Sequence, residues 1–328
     1  MSVYYFYATT GLSPPVLMRA VRRTGAGVEI VDVERPSGQG VRVRVVSSGI
    51  CGTDVANSKL GPLPVTLGHE FAGYTDDGRL VAVEPIVTCD RCKECLEGSY
   101  HLCQGTAHGW IGGTVDGGMA EEVIVPERAV VELPTAVDPF DASLVEPLAG
   151  ALHGLRLAGS VPGSRVAVIG GGSMGLCAVV AAQGWASEVS LSARYPHQTS
   201  AGQSLGASAV TGTYDVVVDA AGTEEALRSA SELVMPGGTI CALGKYQTPH
   251  LPISPSVMMH KELKVVSPVA YCRSAQGREI DDAAALLGRR PDLPRTLITH
   301  RFTLAQGAKA FAVAGDKASG SIKVVIHP

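Results

Sequence analysis

A chain of 328 residues with 45% hydrophobic residues, 39 glycines and few aromatics has room for two domains, and it suits an α/β protein with many tight turns better than an all-β one. Its formal net charge is −4 and it carries no long basic run, which argues against nucleic acid or a membrane surface as partner. The N-terminus lacks the early basic residues and unbroken apolar block of a signal peptide, and the most apolar segment, from Ser164 to Ala186, is interrupted by glycines, so a cytoplasmic chain with reduced thiols is expected.

Residues 1–17 read as an N-terminal extension, with its first dozen residues expected to be poorly ordered. From Met18 the pattern is strand, turn and strand, followed by short alternating runs split by Gly and Pro, such as "VRVRVVSSG" and "RLVAVEP". From about Leu155 apolar β runs ("RVAVIG", "EVSLSAR", "YDVVVDAAG", "GGTICALG") alternate with helical ones ("MGLCAVVAAQGWA", "TEEALRSASELV"). That is the βαβ rhythm of a doubly wound parallel sheet. The expected units are 1–154, β-rich; 155–285, doubly wound; and 286–328, with a helix and a closing strand "GSIKVVIHP".

Cys89, Cys92, Cys95 and Cys103 follow the spacing C-x2-C-x2-C-x7-C within a polar loop. Four thiolates close a tetrahedral structural zinc site with no position left for chemistry, and a loop with so little apolar surface needs metal to hold it. An iron–sulfur cluster and disulfides are the competing readings. A second set is scattered: Cys51, Thr53 and Asp54 in "GICGTDVA", His69 and Glu70 in "TLGHEFAG", and Glu146 in "LVEPLAG". A catalytic zinc takes three protein ligands and keeps one position open. Cys51, His69 and Glu146 could supply these, with Glu70 as an alternate ligand.

"RVAVIGGGSMGLCAVVAA" sets Gly170, Gly172 and Gly175 between a buried strand and an apolar helix that opens with Ser173 and Met174. In that context G-x-G-x-x-G is a dinucleotide fingerprint: one glycine for the turn, one for pyrophosphate approach and one for helix–strand packing. The next strand ends in Ala193-Arg194, where an NAD-binding chain would carry an acid. A guanidinium suits a 2′-phosphate, so NADP(H) is favoured over NAD(H), with His197 a weak assistant.

These motifs, with "DGGMAEEVIVP" and the tail "ASGSIKVVIHP", occur in an order and spacing that resembles the zinc-dependent medium-chain alcohol dehydrogenases, nearest the polyol (sorbitol-like) and threonine dehydrogenase branch, over nearly all of Met18 to Pro328. The resemblance implies a GroES-like catalytic domain, a Rossmann domain and a C-terminal return to the first domain. It also implies a small-molecule alcohol or ketone substrate and a homodimer or homotetramer. It places one catalytic zinc at Cys51, His69 and Glu146 with Glu70 close by, and one structural zinc in the cysteine lobe. Asp54 would orient the His69 ring, Thr53 would pass on the hydroxyl proton, and Lys323 would reach the cofactor phosphates. Many relatives continue the proton path with a His where this chain has Ala56. His101, His108 and His153 are unassigned, and Trp110 and Tyr271 are either pocket walls or core. A double-bond reductase and a zinc-stabilised nucleotide sensor are the alternatives to an alcohol dehydrogenase.

Overall fold

The computed structural model describes residues 16–105, 108–246, 250–274 and 277–328; the expectation of disorder in the first dozen residues lies outside these. The hairpin foreseen at Met18 is Leu17–Thr24 paired antiparallel with Gly27–Glu34, and Leu63–Thr66 joins its other edge.

A seven-stranded sheet follows, organised around Val41–Gly49. Val43 and Val45 are buried while Arg44 between them is exposed, the alternation of a strand with one dry face. Glu70–Thr75, Glu122–Val125 and Lys323–His327 all pair with this strand, and Ile298–Thr303 runs parallel to the last of them. The chain's final strand therefore lies in the first sheet, next to the strand that runs into Cys51. That register carries Lys323, 253 positions downstream, onto Glu70.

The second sheet is six-stranded and wholly parallel, in the order Ser208–Ala209, Glu188–Ser192, Arg165–Ile169, Tyr214–Asp219, Val234–Ala242, Lys264–Val266. Val166 to Val168 and Val216 to Val218 are buried as unbroken apolar runs, as strands covered on both faces must be. Strand order reverses between Arg165–Ile169 and Tyr214–Asp219. The crevice beyond the carboxyl ends of such strands is where doubly wound sheets bind ligands.

The helix Val145–Leu157 packs on Ser173–Ala182 and on Glu279–Arg289. Both expected divisions, 154/155 and 285/286, fall inside helices, so neither is a linker. The first of these helices carries Glu146 on its opening turn, and its burial in the second unit's core holds that carboxyl at the mouth of the crevice. The units are also tied by Arg278, which donates to the carbonyls of Arg128 (2.8 Å) and Val130 (3.0 Å). No helix among the described residues is long and apolar enough to cross a membrane.

Candidate active site

A cavity of about 460 Å³ lies between the two sheets, with Cys51, His69, Glu70 and Glu146 at one end and Gly172, Ser173 and Met174 at the other. Cys51 is the residue before the helix Gly52–Asn57. Its sulfur accepts from the Thr53 amide (3.4 Å), and the Asp54 carboxylate accepts from the Cys51 amide (2.9 Å), a capping box that fixes the thiol's direction. The other Asp54 oxygen lies 3.5 Å from Nδ1 of His69. A carboxylate on that side orients the ring and leaves its other nitrogen for a metal. Burial works to lower the His69 pKa, but Asp54 and Cys51 beside it prevail and hold it well above its ordinary value.

Ligand atoms of Cys51, His69 and Glu70 all lie within 4.8 Å of one another. Glu146 lines the same cavity, half-buried and outside that close group, and its pKa is pushed up to about 7. Burial is the main cause; His69 and Lys323 pull it down while Glu70 and Asp54 add to the rise. A thiol, an imidazole and carboxylates crowded at one end of a cleft are a donor set that a zinc ion accepts, soft, borderline and hard together. Glu70 is not idle: its Oε2 accepts from the ammonium of Lys323, which also donates to the Ile50 carbonyl (3.3 Å). Lys323, expected on the cofactor phosphates, instead turns its ammonium onto Glu70, because the register of the last strand buries it there.

In the lobe, Cys92 and Cys95 sulfurs are 3.4 Å apart, Cys92 and Cys103 3.9 Å, and Cys89 and Cys95 4.0 Å, with all four ligand atoms within 4.8 Å. A tetrahedron with zinc–sulfur bonds of 2.3 Å has edges of about 3.8 Å. The lobe thus matches a single ion; a multi-iron cluster would spread the sulfurs further, and all eight cysteines are free of disulfides. The amides of Arg91 and Cys92 stabilise the Cys89 thiolate and lower its pKa to about 6.

At the opposite end, Gly170 has φ of +105°, and a Cβ there would strike the Ala221 amide. A Cβ on Gly175 would sit 1.8 Å from the Gly170 carbonyl oxygen, so only glycine lets the helix Ser173–Ala182 approach its strand. A Cβ on Gly172 would meet nothing. Open space at the second glycine, above a helix N-terminus where the Ser173 hydroxyl has no partner among the described residues, fits a pyrophosphate. Arg194 is exposed just past the strand Glu188–Ser192. Its guanidinium lies 5.7 Å from the Tyr195 ring centre, and Tyr195 stacks on His197 (5.5 Å), whose Nε2 is buried without a partner.

Residues 37–135 match the family model of the alcohol dehydrogenase GroES-like domain. Galactitol 1-phosphate 5-dehydrogenase of Escherichia coli K12 is 30% identical over 307 residues, covering 82% of this chain and 87% of that protein. The chain belongs to the zinc-dependent medium-chain alcohol dehydrogenase family. L-threonine 3-dehydrogenase of Pyrococcus abyssi is a further relative of this dehydrogenase, 30% identical and covering 70% of this chain and 75% of its own. Among solved structures, a protein of Sinorhizobium meliloti 1021 described as a zinc-binding dehydrogenase and bound to NADP superposes with a TM-score of 0.83 at 30% identity, covering 95% of this chain and all of that one.

Other residues of the dehydrogenase lie away from its cavity. Tyr271 is fully buried core and Trp110 a half-buried strand residue; neither lines the cavity. His153 bonds Glu279 through Nδ1 (2.8 Å) and packs edge-on against His101 (5.0 Å), linking the lobe to the helix that carries Glu146, while His108 packs edge-on against Trp110 (6.1 Å). Two cavity lysines, Lys245 and Lys317, escaped the sequence reading. Lys245 follows the carboxyl end of a parallel strand, the position where such sheets place ligand contacts, and that was the available signal.

Proposed function

We propose that this zinc-dependent alcohol dehydrogenase oxidises a secondary hydroxyl of a polyol, or reduces the corresponding ketone, with NADP(H) as its preferred cofactor. The observation that carries the reading is a single cavity with a mixed metal-ligand set at one end and an unobstructed glycine turn at the other. Cys51, His69 and Glu146 would hold the metal. Zinc there supplies Lewis acidity, the property that brings the pKa of bound water from 15.7 to about 7. Thr53, in the cavity wall two residues after Cys51, receives the hydroxyl proton; Ala56 offers no continuation, so the proton leaves through solvent or cofactor hydroxyls. Asp54 positions His69. Glu70, held by Lys323, would be a further ligand for the metal and would meet a second hydroxyl of the substrate. Relatives named for galactitol 1-phosphate, sorbitol and threonine support a substrate with polar groups beside the reacting carbon.

Arg194 with His197 binds the 2′-phosphate, a reading supported by the absence of an acid at the strand end. Arg194→Asp is expected to raise KM for NADPH by on the order of 10- to 100-fold, the worth of one charged hydrogen bond, and to leave NADH little affected. Unchanged NADPH affinity would remove the cofactor assignment. The protein works in the cytosol as a homodimer or homotetramer. The edge strand Lys264–Val266 and the exposed Met259 and Val269 near it offer the contact. Light scattering at micromolar concentration reads this directly, and a monomer there would overturn it.

A further inference from the structure

One buried carboxylate beside the cavity has no task in the mechanism above. Asp219 ends the strand Tyr214–Asp219 and is fully buried. A carboxylate out of water must be met by hydrogen bonds or a cation. Its Oδ1 accepts from the amides of Ala221 (2.9 Å) and Gly222 (3.0 Å), and its Oδ2 accepts from the phenol of Tyr246. The Asp219 carbonyl takes the amides of Leu243 (2.9 Å) and Gly244 (2.8 Å). Burial, and then the bond to Asp219, raise the Tyr246 pKa, so the phenol keeps its proton and remains the donor. The segments that follow two neighbouring strands, Tyr214–Asp219 and Val234–Ala242, are thus fastened to one residue.

What these bonds hold is cavity wall. Ala220, Ala221, Leu243, Gly244 and Lys245 line the same cavity as the metal-ligand set. The two segments also touch backbone to backbone. A Cβ on Gly244 would strike the Gly222 amide, and one on Gly222 would lie 2.8 Å from the Lys245 carbonyl oxygen. A Cβ on Gly170, the first glycine of the dinucleotide turn, would lie 2.9 Å from the Ala221 nitrogen. In so close a packing a shift of one segment is passed to the next. Sheet order says which part of a dinucleotide meets this wall. Arg194 follows the strand on one side of Arg165–Ile169; Asp219 and Leu243 follow the two strands on the other. A cofactor with its 2′-phosphate at Arg194 and its pyrophosphate at Gly172 runs its nicotinamide half toward Ala220 and Leu243, the part of the cleft that the metal ligands share.

We infer that Asp219 and Tyr246 are positioning residues for the nicotinamide half of the cofactor, acting through the backbone wall that their bonds hold in place. This rests on the dehydrogenase reading of the same cavity. The full chain would be titrated by calorimetry with NADP+ and with adenosine 2′,5′-bisphosphate, which is the adenine half alone, and in parallel with NAD+ and AMP. Tyr246→Phe removes one donor to a charged oxygen. It is expected to raise the dinucleotide Kd by on the order of 10-fold and to leave the Kd of the adenine half unchanged. Asp219→Ala loses all three side-chain bonds and should weaken the dinucleotide by on the order of 100-fold. Asp219→Asn keeps Oδ1 for the two amides and turns its NH2 to the Tyr246 oxygen, so it should retain most of the affinity. If Asp219→Ala does not fold, Tyr246→Phe still decides the matter, because the phenol lies outside the strand. Dinucleotide affinity equal in Tyr246→Phe and wild type, or a loss shared in the same proportion by the adenine half, would overturn the inference. So would an Asp219→Asn variant as weak as Asp219→Ala, which would assign the effect to charge and not to position. Each of these leaves the dehydrogenase reading standing. A wild-type chain that binds neither dinucleotide would strike both.

Discussion

Cys51→Ser is expected to slow alcohol oxidation by on the order of 1000-fold and to remove one of two zinc ions per chain. The thiolate is the one soft donor of the cavity's metal set, and its direction is fixed by the capping box with Asp54. Zinc contributes several kcal/mol of charge stabilisation at the reacting oxygen, and each 1.36 kcal/mol is a factor of ten in rate. Serine keeps the size and the cap, since its hydroxyl can still accept from the Thr53 amide, so the fold should survive with an unchanged melting midpoint in metal-free buffer. The assay is steady-state oxidation of a polyol panel followed by NADPH absorbance, with metal content measured on the same preparation. Full turnover in this variant would eliminate the metal's part in the reaction.

Cys95→Ser should act through stability instead. Cys95 is buried in the lobe, and burial raises its thiol pKa to about 12 in the absence of metal, so the lobe resists losing this proton unless an ion takes its place. Zinc binding by four thiolates contributes roughly 10–16 kcal/mol to folding in small zinc domains. The lobe has a second anchorage, because the Arg273 amide donates to the Gly98 carbonyl (3.0 Å) and ties it to the segment that leads to Glu279. Part of the fold should therefore persist, and a fall of the thermal midpoint by roughly 10 °C or more is expected. Loss of the lobe also frees His101 from His153, which sits two turns beyond Glu146 on one helix, so activity at moderate temperature should fall with it. Chelator treatment of the wild-type chain should reproduce the lower midpoint; a variant that melts with the wild type would show that the lobe needs no ion.

What was legible in the sequence is what local chemistry fixes. The glycines of the 170–175 turn could be assigned one by one because each answers a short-range steric demand, and the structure reports the same demands as a positive φ, an open face and a 1.8 Å approach. Thiol spacing in the lobe was equally readable, since two-residue gaps alone bring sulfurs together. The hairpin at Leu17, the alternating strand at Val41 and the parallel strands followed from periodicity. Long-range register was not legible. Lys323 and Glu70 are separated by 253 positions, and only the pairing of the last strand with Val41–Gly49 makes them neighbours. Lys245 and Lys317 come from separate segments that meet only at the cleft, so neither one carries a local signal of the other.

In the proposed mechanism Cys51, His69 and Glu146 hold a metal in the cleft, distinct from the ion braced by the cysteine lobe. Anomalous scattering at the zinc edge, from crystals of the zinc-loaded chain, tests it most directly. Two peaks are expected, one among the four lobe sulfurs and one about 2.3 Å from the Cys51 sulfur with His69 and Glu146 in its coordination sphere. A single peak confined to the lobe, or a cleft peak that leaves Glu146 unengaged, would contradict it.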